Sequence, residues 1–205
     1  MFSFHWLLLW ACKKGADVNL IAHLIGNAPE MVDKKGDIGE TPINTAAKNG
    51  HLDVVKYLVG EANADPNKES KYGYTPIYIA AEKGHVDVVR YLVEEAKARD
   101  PNKADDDGYT PLYIATQNGH LDVVRYLVGE AKTDPNKARD DGWAPIHIAT
   151  TSGNDYLNIV RYLVEEAKVD VNMTTKSGQT PLALASNNHY CTTVYDYLHS
   201  IGARQ

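Results

Sequence analysis

Cysteine is scarce in this chain, with two in 205 residues, Cys12 and Cys191, near opposite ends. Reduced thiols and an intracellular, cytoplasmic setting are the simpler expectation, with a secreted effector left open. Positive charge is not in excess either. Lys and Arg number 21 against 27 Asp and Glu, a net charge of −6. That balance argues against a binder of nucleic-acid backbones, which concentrates basic residues. Long hydrophobic runs are also missing, so no segment is expected to span a bilayer. No Cys/His dyad, GxSxG elbow or phosphate-binding loop is present. The acidic stretch Asp105-Asp106-Asp107-Gly108 lacks the alternating ligands and terminal Glu of a calcium loop and reads as a solvated turn. His189 and Cys191 are two ligands at most, too few for zinc. No catalytic residue, metal or cofactor is therefore expected.

What is present is a period. A block of form TP-φ-x-φ-A, with φ apolar, recurs at Thr41-Pro42-Ile43, Thr75-Pro76-Ile77, Thr110-Pro111-Leu112, Ala144-Pro145-Ile146 and Thr180-Pro181-Leu182, spaced 34 to 36 residues. Each of the first three is followed by GHLDVVKYL or a near copy. A fixed period of that length signals one supersecondary unit stacked on itself. In an elongated stack the two cysteines would stand beyond disulfide reach.

One unit can be read residue by residue. Thr75 can cap a helix with its hydroxyl, and Pro76 suits the first helical position. A short helix over Pro76–Lys83 places Ile77, Ile79, Ala80 and Ala81 against its neighbours. Gly84 offers a left-handed C-terminal cap. A second helix over about Val86–Ala96 should bury Val86, Val89, Leu92 and Val93. Asp87 and Arg90, like Asp53 and Lys56 or Asp122 and Arg125, are expected to pair on a solvated outer face. Asp100-Pro101-Asn102 stops the helix, and Asp107-Gly108 turns the chain into the next unit.

These residues resemble an ankyrin repeat, whose pattern is GxTPLHxAAxxGHxxVVxxLLxxGADVN. Gly50, Gly84, Gly119 and Gly153 match its turn glycine, and His51, His85 and His120 the following histidine. The resemblance implies an all-α ankyrin-repeat solenoid of stacked antiparallel helix pairs with β-hairpin-like loops. Six units are expected in a single domain over 1–205, at about 4–37, 38–71, 72–106, 107–140, 141–176 and 177–205. The first is degenerate and lacks the TP block. Units run one to three residues longer than the family's usual repeat. The extra residue mostly precedes DPN, where it should lengthen the second helix or bulge its end. The fifth unit instead adds residues around Ser152–Tyr156. It also has Ala144 in place of Thr, losing a cap of ~1 kcal/mol.

The N-terminal unit is unusually apolar. Phe2, Phe4, Trp6, Leu7, Leu8, Leu9 and Trp10 leave little polar surface for the end of a solenoid, which is normally polar. No basic residue precedes this stretch and His5 interrupts it, against a signal peptide. A self-association face, a missing upstream segment or targeting would each explain it. A capping helix with some exposed apolar surface is expected, with weak self-association through that end.

The family implies a non-catalytic protein-interaction module, an adaptor, inhibitor or effector-type binder, with one protein partner and neither nucleic acid nor membrane. Columns that vary between units carry the partner-binding expectation. The residue before TP is aromatic in three units, Tyr74, Tyr109 and Trp143. The third position of the helix block holds Tyr78 and Tyr113, with His147 next in the column. Together they suggest a concave aromatic ladder, because aromatics dominate binding hot spots. Tyr78, Tyr113 and His147 could equally replace the family's structural histidine and bond neighbouring loops. Glu82, Lys83, Gln117 and Asn118, just before the turn glycines, complete the expected contact set. The near-identity of the third and fourth units also suits an engineered or reconstructed scaffold without a native partner, against which the irregular insertions speak.

Overall fold

A computed structural model describes residues 4–98 and 100–205, so Phe2 lies outside the described residues. By contact the chain divides into two compact units, Met1–Asp107 and Gly108–Gln205. The described residues form helices, turns and loops, with no strand among them.

The first unit holds three helix pairs: α1 (Phe4–Lys14) with α2 (Val18–Asn27), α3 (Pro42–Lys48) with α4 (Leu52–Gly60), and α5 (Pro76–Glu82) with α6 (Val86–Glu94). First helices pack on first helices and second on second, α1 on α3 on α5 and α2 on α4 on α6. The second unit repeats this with α7 (Pro111–Gln117) and α8 (Leu121–Gly129), α9 (Pro145–Ala149) and α10 (Leu157–Arg161), α11 (Pro181–Ser186) and α12 (Thr192–Ser200). The fold is thus a stack of antiparallel helix pairs.

Local sequence explains each start. Thr41, Thr75, Thr110 and Thr180 each accept the amide of the third helical residue, with Pro at the first position. Alanines at 46, 47, 80, 81, 115, 149 and 185 are buried, which lets helix axes approach closely. Cys12 takes the place of Ala47 and Ala81 in the first pair and is buried as they are. Burying a Val or Leu contributes about 1.5–3 kcal/mol, so the columns Val55, Val89, Val124, Val160 and Leu58, Leu92, Leu127, Leu163 supply much of the driving force.

The structure corrects one expectation and specifies three others. In α6 the buried face is Val88, Val89, Tyr91 and Leu92, while Val86 and Val93 are only half-buried. The buried face is turned by about one residue step from the one that periodicity alone selects, so the tyrosine goes inward. The inserted residue before DPN does not lengthen the second helix, which stays at nine residues in α4, α6 and α8. It bulges the end instead, through left-handed Asn63, Lys97 and Lys132. Ala62 N–H then donates to the Tyr57 carbonyl at 3.0 Å, and Ala64 N–H to Leu58 at 2.8 Å. In the fifth repeat a π-helical turn, Tyr162–Glu166, precedes the left-handed Lys168. Ala144 lacks a capping hydroxyl, but His147 answers from the other side, its Nδ1 accepting the Ala144 N–H at 3.0 Å. That reciprocal bond offsets part of the lost cap. Finally, the β-hairpin-like loops are closed by a backbone bond across each tip. Gly36 N–H donates to the Glu40 carbonyl at 2.8 Å, Ser70 to Tyr74 at 2.9 Å, Arg139 to Trp143 at 2.9 Å and Thr175 to Gln179 at 3.0 Å.

Candidate functional site

Each loop ends in an aromatic or polar residue just before a first helix, and that helix places its third residue directly beneath. Tyr74 stacks on Tyr78 with ring centres 4.8 Å apart and planes 3° from parallel. Tyr109 meets Tyr113 edge-on at 5.2 Å, and Trp143 lies 6.1 Å from the His147 ring. The upper members Tyr74, Tyr109 and Trp143 are half-buried, whereas Tyr78, Tyr113 and His147 are buried. Burial leads the causes that raise the Tyr78 and Tyr113 pKa values, and it lowers that of His147. All three rings are neutral at neutral pH.

The lower ring is tied to the next loop, for Tyr78 and Tyr113 by a residue three positions before that loop's glycine. Tyr78 donates its hydroxyl hydrogen bond to Asp105, and Tyr113 is hydrogen-bonded by Arg139. The Arg139 guanidinium also lies 4.0 Å from the Tyr109 ring centre, a cation–π contact, and pairs with Asp141 at 3.2 Å. His147 Nε2 faces the Met173 carbonyl at 3.1 Å, where it must donate. Asp105 is therefore no solvated turn residue. It is 8% exposed and clips one repeat to the next, while Asp106 and Asp107 remain in solvent.

Of the other expected contact residues, Lys83, Gln117 and Asn118 are exposed and Glu82 half-buried. Lys83 pairs with Glu82 at 3.0 Å, while the Asn118 amide bonds back to the Ile114 carbonyl at 2.8 Å. In the first unit a groove of about 450 Å³ runs along the loop tips, lined by Ile38, Glu40, Lys48, Tyr72, Tyr74, Glu82 and Lys83 among others. A Lys48–Glu40 pair at 2.7 Å closes one side. Tyr72 is exposed there, with Lys71 over its ring at 5.5 Å.

Sequence reasoning missed two further rows. In four inter-helix turns one residue bridges to the turn before it: His51 to the Lys13 carbonyl at 3.1 Å, His85 to Lys48 at 3.2 Å, Tyr156 to Gln117 at 2.9 Å and Asn188 to Thr151 at 2.8 Å. Tyr156, on the 3₁₀ turn Asn154–Tyr156, thus takes over the histidine's role where the turn is longer. On the second helices, Lys56 lies over the Tyr91 ring at 5.5 Å, Arg125 over Tyr162 at 5.0 Å and Arg161 over Tyr197 at 5.2 Å. The basic residues expected to pair with Asp at i−3 thus reach the next repeat, and Arg90 pairs with Glu94 at 3.3 Å. A Lys-Tyr or Arg-Tyr dipeptide recurs in every second helix from Lys56 to Tyr162 and is the signal that could have found this row.

Among the described residues no group of three or more His, Cys, Asp or Glu is placed to hold a metal ion, and no helix is long and apolar enough to cross a membrane. Cys12 and Cys191 are unpaired and buried. A family model described as ankyrin repeats in three copies matches residues 8–105, 62–139 and 131–203. A comparison with curated proteins finds no match.

Proposed function

We propose a function on one premise: the chain belongs to the ankyrin-repeat family. Ankyrin repeats are generally protein–protein interaction modules and typically not catalysts. On our reading the chain is a non-catalytic binder of adaptor, inhibitor or effector type that holds one protein partner. Tyr74, Tyr109 and Trp143 are the principal contact residues, with Glu82, Lys83, Gln117 and Asn118 beside them. Tyr78 and Tyr113 act from beneath, fixing the rings above. The observation that carries this is the division of labour within each aromatic pair: the lower ring is buried and tied to the next loop, and the upper ring stays partly exposed. Rings held this way lose little entropy on association. The net charge of −6 speaks against nucleic acid as the partner. The buried, unpaired thiols suit a reducing, intracellular setting.

The test is partner capture from a cell lysate with the whole chain as bait, compared with a Tyr109→Ala/Trp143→Ala double variant. Capture should be lost, while the far-UV CD melt moves by no more than a few degrees. Capture that survives unchanged would sink the assignment of these rings.

A further inference from the structure

Two successive repeats treat the same aromatic pair in opposite ways. In the second unit the chain covers its own rings. The Arg139 guanidinium lies 4.0 Å from the Tyr109 ring centre and 5.7 Å from that of Tyr113, and it pairs with Asp141 at 3.2 Å. The corresponding pair one repeat earlier is Tyr74 and Tyr78. Three positions before Gly108 stands Asp105 in place of Arg139, while Asp107 keeps the position of Asp141. The acid of the arginine site is retained there, and a second acid replaces the cation.

The surroundings of Tyr74 suit a cation. The ring is half-buried, stacked on Tyr78 and tilted by 44° to the exposed Tyr72, whose centre is 5.8 Å away. Among the described residues no cation covers Tyr74, whereas Lys71 already lies over Tyr72 at 5.5 Å. Burial first, then the charges of Asp105, Glu82 and Asp107, raise the Tyr74 pKa, so its hydroxyl stands in a field of acids. Lysines line the groove beside it, but Lys48 is bonded to Glu40 at 2.7 Å and Lys83 to Glu82 at 3.0 Å. An aromatic ring in a negative field attracts a cation and repels an acidic side chain. Guanidinium fits better than ammonium, because it is planar and can stack on a ring while its N–H groups reach a carboxylate. Arg139 does both within this same chain.

We propose that the corner at Tyr74 receives an arginine side chain of the partner protein. Its guanidinium lies against the Tyr74 ring beside the Asp107 carboxylate, as Arg139 lies on Tyr109 beside Asp141. The partner thus supplies the cation that the following repeat carries itself. This rests on the reading of the chain as a binder of proteins and names the chemistry of one contact. The two readings fail separately. A free arginine derivative reports on Tyr74, within Met1–Asp107, whether or not any partner is captured, and the Tyr109/Trp143 variant concerns Gly108–Gln205.

The experiment titrates the full-length chain with N-acetyl-argininamide and with N-acetyl-citrullinamide, which has the same shape without the charge, and follows both by NMR. With the arginine compound the Tyr74 ring and the amides of 72–74 and 105–107 should shift, while the Tyr109 ring stays in place. The citrulline compound should bind about fivefold more weakly, the worth of one exposed cation–π contact. Raising salt to about 0.5 M should weaken the charged compound only. Asp107→Asn should do the same, because Asp105 and its bond to Tyr78 are left intact. Asp105→Arg should place an internal guanidinium on the ring, as Arg139 does, and abolish binding of both compounds. The wild-type comparison decides the matter even if that variant folds poorly. Equal binding of the two compounds overturns the proposal, as does the absence of shifts at tens of millimolar. Shifts centred on Tyr109 would overturn it too.

Discussion

Asp105 and Arg139 hold the same column in successive repeats and clip a buried tyrosine with opposite charges. Nothing in the local sequence of either loop distinguishes this from a solvated turn, because the partner ring lies about one repeat earlier. His147 belongs to the same class of residue. With Nδ1 accepting from Ala144 N–H and Nε2 donating to Met173, both nitrogens are committed to the neutral tautomer. Its pKa and that of His5 are depressed in the fold, chiefly by burial. The unfolded chain therefore binds more protons once pH drops below about 6.5, the ordinary histidine value. Stability contributed by the two neutral rings is present above that pH and is lost as pH falls through it toward the folded values. Urea midpoints at pH 7.5 and 5.5 should show this loss, and His147→Gln should reduce it. Midpoints in wild type that do not move would mean that neither ring is held neutral.

At the scale of elements, caps and breakers were legible. Thr-Pro starts, the left-handed turn glycine and the DPN stops are local chemistry, and the helices begin where those residues say. The register of the second helix was not legible, since Val86, Val88, Val89 and Val93 are alike in sequence and only the packed neighbour α4 chooses among them. The turn glycine shows both influences at one site. Gly50 has φ +74°, and a Cβ there would sit 2.7 Å from the His85 ring, which bonds the Lys48 carbonyl just before it. Gly50→Ala should cost about 1–2 kcal/mol for the backbone alone, plus the displacement of His85. In a His85→Ala background only the backbone part should remain. A double-mutant cycle by urea denaturation measures the difference. Strict additivity would show that the ring yields freely.

At the scale of the molecule, within each compact unit each repeat leans on the ones beside it, so stability there is a sum of neighbour terms. The two thiols serve as reporters, one in each compact unit. Cys12 fills an alanine position in the first helix layer, and burial pushes its pKa up to about 12, while burial also raises that of Cys191 at the start of α12. Neither should react with a disulfide reagent such as DTNB in native buffer, because the thiolate is the reactive form. Cys191→Ser and Cys12→Ser variants should each release their remaining thiol only as far-UV CD reports unfolding. Prompt labelling of either in buffer would show that its repeat opens on its own.

The period, the helix pairs, the caps and the resemblance to a known family were all determined by the sequence alone, because each depends on residues a few positions apart. Which members of the repeating columns face inward was decided by tertiary structure. Tyr78 lies beneath Tyr74, Asp105 is a clip, and Tyr156 replaces a histidine. Each of those outcomes depends on what a residue tens of positions away places across the interface. Burial and hydrogen bonding are properties of that pair, and a single repeat read by itself contains only one half of it.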